Sequence, residues 1–237
     1  MSRRGVGPLV DNGGMTAPTS EHPKLWASWQ GDIEALRDDI YDLHHHATIW
    51  RELASLVDAT GATDRGFFLD AYTRMYVAHS GSAIRRITES KDTRVVSLGR
   101  LITAIAANPH VITNERYLTS WGIDDKPCPD VVRANAEAAW EAHAGGGTVF
   151  DVAIATEDLE ELERTTKAVV TMVDKTIAHR DKVPPDTIPT FGDLAGAIES
   201  ITLRYERYQL LLLGRAQITM NPVMQGDWLA PFRKPLV

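Results

Sequence analysis

The stretch DKTIAHRDK, from Asp174 to Lys182, contains the residues of this chain whose types and spacing best suit acid–base chemistry. A histidine titrates near neutral pH, so it can take a proton from a reacting oxygen or return one. Arg180 directly follows His179, and Lys175 lies four residues before it, on the same face of a helix. A fixed cation beside such a histidine can stabilise negative charge on a phosphate. The stretch is therefore a candidate phosphate-handling site.

The same stretch also fits an ordinary helix C-terminus. Positive side chains in the last turn of a helix offset the negative end of its dipole by about a few tenths of a kcal/mol. Asp181 and Lys182 then belong to a solvated turn before Pro184 and Pro185. Local sequence leaves both interpretations open.

Composition excludes several functional classes. The 237 residues are 43% hydrophobic and 24% charged, with a formal net charge of −7, which argues against a basic coat for non-specific nucleic-acid binding. The single cysteine, Cys128, excludes an intrachain disulfide framework and favours a reducing, cytoplasmic setting. No run approaches the roughly 18 apolar residues that a membrane helix needs, so no membrane association is expected.

The elements that must position this stretch are all predicted to be helical. Residues 1–22, rich in Gly, Pro, Ser and Thr, are predicted to be a disordered leader before a single domain at 23–237. From Trp26 to Val57 an apolar residue recurs every three or four positions, which predicts one long amphipathic helix or two with a small break. Asp64 is expected to cap the next helix. Its predicted inner face comprises Phe68, Tyr72, Met75 and His79.

Start and stop signals place the remaining helices. Ser97 is the expected N-cap of a helix that Pro109 ends, and short helices follow near Tyr117–Trp121 and at Asp130–His143. Thr156 is the expected cap of the helix that carries His179. Its first turn would hold Glu157, Asp158, Glu160 and Glu161, and its buried stripe Leu159, Leu162, Val169, Val173 and Ile177. A last helix opens at Thr190 with Asp193 in a capping box and runs to Gly214. Without alternating strand patterns, the fold is predicted to be an all-α bundle.

Five short stretches carry a family resemblance. They are AIRRI at 83–87, RVVSLGRLI at 94–102, IAHRD at 177–181, PTFGDLAGAI at 189–198 and DWLAPFRKP at 227–235. In this order, from about residue 40 to the end, the chain resembles the AbiU2-like branch of the HEPN superfamily, helical proteins of prokaryotic abortive infection and toxin–antitoxin phage defence. The resemblance implies a HEPN-like helical bundle.

The resemblance also implies a function and its partners. Active HEPN toxins are homodimers that cleave RNA without a metal or cofactor, using an Arg-x4-6-His motif that dimerisation brings together. His179 matches the histidine, whereas Asp174 and Val173 stand where the arginine is expected. Arg180 and Lys175 are alternative catalytic cations. Arg85, Arg86 and Lys182 are candidate RNA- or phosphate-binding residues.

Two functional classes therefore remain open. The first is a HEPN ribonuclease acting as a toxin, with His179 as acid/base. The second is a non-catalytic HEPN-like dimer that binds RNA, a nucleotide or a protein such as an antitoxin or a nucleotidyltransferase. In either case the apolar faces of Trp26–Val57 and Tyr205–Leu213 exceed what one bundle needs, so we expect a homodimer with IAHRD near the two-fold axis.

The HHH stretch at 44–46 and the aromatic residues have simpler interpretations. Three consecutive helical residues point in widely different directions, so one metal ion cannot be held by all three, and no metal site is predicted. His79 is expected to be a buried, hydrogen-bonded histidine. Tyr205 and Tyr208 are expected in the core or at a dimer contact rather than stacked on bases.

Overall fold

The structure, a computed structural model, describes residues 22–59, 66–92, 94–178, 182–183, 185, 187–215, 220, 222 and 226–233. Within these ranges the chain forms seven α-helices: α1 (His22–Ala59), α2 (Gly66–Thr88), α3 (Leu98–Ala107), α4 (Asn114–Ser120), α5 (Pro129–Ala144), α6 (Val152–Met172) and α7 (Phe191–Leu213). Short 3-10 turns lie at Pro109–Val111, Ile123–Asp125 and Ala230–Arg233. The only β-type pairing in the described ranges is an isolated bridge between Thr113 and Val149. The predicted all-α class is confirmed.

Helix α1 is a single helix of 38 residues, so the alternative of two helices is wrong. Its buried side chains recur every three or four positions up to Ala47: Trp29, Ile33, Leu36, Ile40, Leu43, Ala47 and Leu53. This stripe packs against α2 and α7. The leader predicted at 1–22 lies outside the described residues except for His22, which opens the helix.

The predicted inner face of α2 is wrong. Phe68 is 53% exposed and Met75 is 61% exposed. The buried residues are Leu69, Tyr76, Ser80, Gly81, Ala83, Ile84 and Ile87. Because each residue advances a helix by about 100°, a shift of one position carries a side chain from the core to the surface. The expected cap Asp64 lies outside the described residues.

The caps of α3 and α7 are confirmed. Ser97 Oγ accepts from the amide of Arg100 at 3.2 Å, and α3 ends at Ala107, two residues before Pro109. At α7 the amide of Asp193 donates to Thr190 Oγ1 at 3.1 Å, and the amide of Thr190 donates to Asp193 Oδ2 at 2.7 Å. These reciprocal bonds satisfy amides that a helix start leaves without intrahelical partners.

The predicted start of α6 is wrong by one turn. Asp151 is its N-cap and accepts from the amide of Ala153 at 2.9 Å. Thr156 lies inside the helix, where its hydroxyl donates to the carbonyl of Val152 at 3.1 Å. The acidic cluster at 157–161 therefore follows the first turn, and its members do not cap the helix.

Helix α6 packs against α7, α2 and α3. The largest fully buried side chains include Trp140, Tyr117, Tyr205 and Tyr208, which confirms the core assignment of the two tyrosines of α7. The apolar faces of α1 and α7 are thus covered within one chain and offer little surface to a second copy. None of the helices in the described ranges is long and apolar enough to cross a lipid bilayer.

Candidate functional site

A π-helical segment, Val173–Ala178, continues α6 directly towards His179. Such segments are rare and occur frequently at functional sites, because they break the regular hydrogen-bond ladder. Val173 is buried and Lys175 is partly buried. Ile177, predicted on the buried stripe, is 39% exposed. His179 and Arg180 lie outside the described residues, so their catalytic roles stay predictions.

The segment is held close to α2 at Gly81. A Cβ added there would lie 2.8 Å from Val173 Cγ2, nearer than side chains normally approach. Glycine at this position therefore lets α2 pack closely on the Val173 side chain. One turn further along α2, this close contact brings Arg85 alongside the π-helical segment.

Arg85 forms an ion pair with Asp174, and the contact is made by its Nε. Both side chains are 45% exposed. The Nη groups of Arg85 make no hydrogen bond within the described part of the chain. A guanidinium from another helix thus stands beside position 174, five residues before His179. Sequence spacing did not reveal this pair, because the two residues are 89 positions apart.

Arg86 points elsewhere. Its Nη2 donates to Asp39 Oδ1 of α1 at 2.9 Å. Adjacent helical residues project about 100° apart, which explains why neighbouring arginines reach acidic residues on different helices. Arg85 and Arg86 therefore do not form one cationic clamp.

A short loop after α2 closes one side of the site. The amide of Lys91 donates to Glu89 Oε1 at 2.7 Å, and this bond lowers the pKa of Glu89. The hydroxyl of Ser97 donates to the Glu89 carbonyl. A Cβ added at Gly99 would overlap the Thr88 carbonyl oxygen, so the start of α3 packs directly on the end of α2.

Between α2, this loop, α3 and α6 lies a groove of about 520 Å³. Its charged lining residues are Arg85, Lys91 and Lys167, with Glu89, Glu160, Glu163 and Asp174. The volume is in the range of small-ligand sites. Lys175 does not line the groove, and Lys182 is exposed, so neither predicted cation joins Arg85 there.

A second charged cluster, around Asp158, was missed by the sequence interpretation. Asp158 is 2% exposed, and Arg207 Nη1 donates to both of its carboxylate oxygens at 2.7 Å. Tyr208 donates to Oδ2 at 3.1 Å, and Arg204 Nε lies 3.3 Å from Oδ1. Burial raises the pKa of Tyr208, which stays a neutral donor. The spacing of Arg204, Arg207 and Tyr208 on one face of α7 was the available signal.

The three consecutive histidines of α1 point to different neighbours. His44 Nε2 lies 2.7 Å from Thr202 Oγ1, whose own proton goes to the Ile198 carbonyl. The rings of His46 and His79 lie 4.4 Å apart, and burial lowers the pKa of His46. His79 is exposed, so the prediction of a buried histidine is wrong. Among the described residues no group of three or more His, Cys, Asp or Glu side chains could hold a metal ion.

The site in this chain thus consists of a π-helical segment, a guanidinium supplied by α2 and a groove of mixed charge. Comparison of the chain with protein-family models, curated proteins and solved structures gives no match.

Proposed function

We propose that this chain is a toxin-like HEPN ribonuclease of prokaryotic defence, with the groove beside Arg85 as its RNA site. The observation that carries the proposal is the Arg85–Asp174 pair. The HEPN motif that the sequence resembles places an arginine at about this position before its histidine. Here the cation comes from α2, and Asp174 holds it in place.

The chemistry needs no metal. His179 removes the proton of a ribose 2′-hydroxyl, and the 2′-oxygen forms a bond to the adjacent phosphorus. The bond from phosphorus to the 5′-oxygen breaks, and that oxygen takes up a proton, leaving a 2′,3′-cyclic phosphate. Arg85 offsets the charge that develops on the phosphate oxygens. Its Nη groups suit this role because Asp174 is bonded to Nε alone.

The remaining candidate residues have accessory roles in this proposal. Arg180 and Lys175 flank His179 in sequence and contribute positive charge to the same phosphate. Lys182, exposed on the following turn, binds RNA further along the strand. Arg86 is paired with Asp39 on another helix and is expected to contribute little.

One observation favours a second candidate function, a non-catalytic dimer that binds RNA, a nucleotide or a protein such as an antitoxin or a nucleotidyltransferase. Four carboxylates face three cations in the groove. Carboxylates repel a polyanionic backbone, so this balance weakens RNA binding relative to a basic cleft. A basic protein partner fits such a surface better.

Cleavage of single-stranded RNA and of tRNA by the purified protein, with EDTA present, separates the two functions. The wild type is expected to cleave, and His179→Ala to lose about 10²–10⁴ in rate, the contribution of a positioned acid/base. Arg85→Ala is expected to lose about as much as a charge-stabilising donor contributes, roughly 10²–10³. Arg86→Ala is the matched control, since it removes the same charge one position away.

Equal effects of Arg85→Ala and Arg86→Ala contradict the assigned role of Arg85. A wild type inert on both RNAs supports the non-catalytic dimer. In that case His179→Ala should leave growth unaffected when the protein is expressed in bacteria, whereas a nuclease should arrest growth only in its wild-type form.

A further inference from the structure

The first half of α2 exposes large apolar side chains. Phe67 is 90% exposed, Met75 is 61% exposed and Phe68 is 53% exposed. Phe67, Ala71 and Met75 follow one another at intervals of four residues, so they form one stripe along the helix. Contiguous exposed apolar surface of this kind marks interaction sites. The covered faces of α1 and α7 offer no comparable stripe.

Opposite charges flank the stripe on one side. Asp70 and Arg74 are both exposed, four residues apart, and neither forms an ion pair within the described part of the chain. Helix geometry puts both on the same edge of the apolar stripe. Charged groups on the edge of an apolar surface commonly set the orientation of a partner helix.

The pattern is self-complementary. We propose that this face of α2 packs antiparallel against the same face of a second copy, around a two-fold axis near Ala71. Phe67 then meets Met75 of the partner subunit, and Ala71 meets its own counterpart, where a small side chain allows close approach. Asp70 lies beside Arg74 of the partner subunit, and the symmetry repeats the ion pair. A contact of one patch with itself closes as a dimer and does not extend into a fibre.

This arrangement separates the two candidate sites. Arg85 lies 14 residues from Ala71, which is about 21 Å along the helix, so the two Arg85 residues are about 42 Å apart. Each groove therefore works with residues of its own chain. The sequence predicts the IAHRD segments near the axis, whereas the α2 face places Arg85 and its partner Asp174 away from it. The inference does not depend on nuclease activity.

Residue 71 gives a direct test, because it faces itself across the axis. Light scattering and sedimentation of the full chain are expected to show a dimer. Ala71→Lys and Ala71→Glu should each raise the dissociation constant at least tenfold, since like charges then oppose each other. A 1:1 mixture of the two variants should recover dimers. Both substitutes favour helix, and circular dichroism checks that the fold is kept.

Charge exchange on the flank gives a second test that leaves the apolar stripe intact. Asp70→Arg and Arg74→Asp should each weaken the dimer, and the double variant should restore it. Leu203→Glu, at a 56% exposed position of α7, is the control and should change nothing. A monomeric wild type at micromolar concentration overturns the proposal. Dimers that are indifferent to all three α2 positions overturn it too, as they place the interface elsewhere.

Discussion

Two aspartates, Asp158 and Asp174, lie towards opposite ends of the continuous helix formed by α6 and its π-helical segment, and each forms an ion pair with arginine. Asp158 is buried and bonded to Arg207 and Tyr208, with Arg204 alongside. Asp174 is 45% exposed and, among the residues that the structure describes, is bonded to Arg85 alone. The number of partners and the access of water differ, although the chemical groups are the same.

The difference separates a structural ion pair from one that can exchange. A buried carboxylate with several donors cannot lose a partner without leaving a desolvated charge. An exposed pair contributes little to stability, since water replaces either partner at small cost. The Asp158 cluster therefore stabilises the packing of α6 on α7. The Asp174–Arg85 pair instead leaves Arg85 available to an anionic ligand.

Removal of Asp158 should have the largest effect. Asp158→Ala leaves two arginines without their counterion, and we expect a loss of about 3 kcal/mol in the free energy of unfolding. Urea denaturation measures it. Asp158→Asn keeps the shape of the side chain and removes its charge, so it measures the contribution of the charge separately. A loss below about 1 kcal/mol would mean that Arg204 and Arg207 rehydrate freely, and the contrast between the two ends would disappear.

The next largest effect on stability is expected from variants that disturb the packing of α2 near Asp174. Gly99→Ala puts a methyl group against the backbone carbonyl of Thr88, which cannot move aside as a side chain can. A destabilisation of about 1–3 kcal/mol is expected. Gly81→Ala overlaps only a side-chain atom, Val173 Cγ2, and should cost less. Thermal melts of both variants, compared with Ser82→Ala on α2, test this order.

The two ends should respond to acid in different pH ranges. Burial, and then the charge of Arg207, lower the pKa of His143 near the Asp158 end. The folded chain then binds fewer protons there than the unfolded chain, so stability is lost as the pH falls from about 6.5 through the lowered pKa. At the other end the lowered pKa of Glu89 confines its effect to pH values below about 4.5.

His143→Gln should therefore flatten the loss of stability between pH 7.5 and 5.5, and Glu89→Gln should leave it unchanged. Urea denaturation at both pH values is the measurement. His46 also titrates with a lowered pKa, so wild type and variant must be compared directly. An identical pH dependence of stability in His143→Gln and the wild type would contradict the role given to His143.

The smallest effect on stability is expected for Asp174→Asn, below about 1 kcal/mol, because both partners are half-exposed. Binding should change more than stability does. With its counterion neutralised, Arg85 is free for phosphate, and the affinity for single-stranded RNA should rise several-fold in fluorescence anisotropy at low salt. Asp39→Asn, which frees Arg86 in the same way, is the control. Equal gains in RNA affinity in both variants would mean that RNA responds to the overall charge of the protein and that Arg85 does not form a binding site.

The sequence predicted the features that depend on local chemistry. The long α1, the Ser97 cap, the Thr190–Asp193 capping box and the glycine end of α7 at Gly214 all follow from neighbouring residues. Each needs only hydrogen-bond geometry within one turn or an apolar period of three to four residues. Tertiary packing did not override these signals.

Features that depend on contacts across the fold were not predictable. The buried face of α2 was placed one residue away, since Phe68 and Met75 are as apolar as the residues that are buried. The sequence places Asp158 in the first turn of its helix and gives no sign of its partners, which lie about 50 positions later. Arg85 and Asp174 meet one turn beyond the position where Gly81 lets α2 pack closely on Val173, a tertiary contact that local sequence does not reveal.

The π-helical segment has a consequence for how insertions and deletions act on this chain. Its wider turn holds an extra residue relative to the α-helical ladder, so counting by fours across 173–178 does not give the residues that share a face. Deleting one residue from 173–178 would restore the tighter ladder and nearly keep the direction in which the helix ends, because the wider turn already accommodates the extra residue. A single-residue deletion there thus shortens the sequence without turning the end of the helix, and spacing along the sequence stops being a measure of alignment in space.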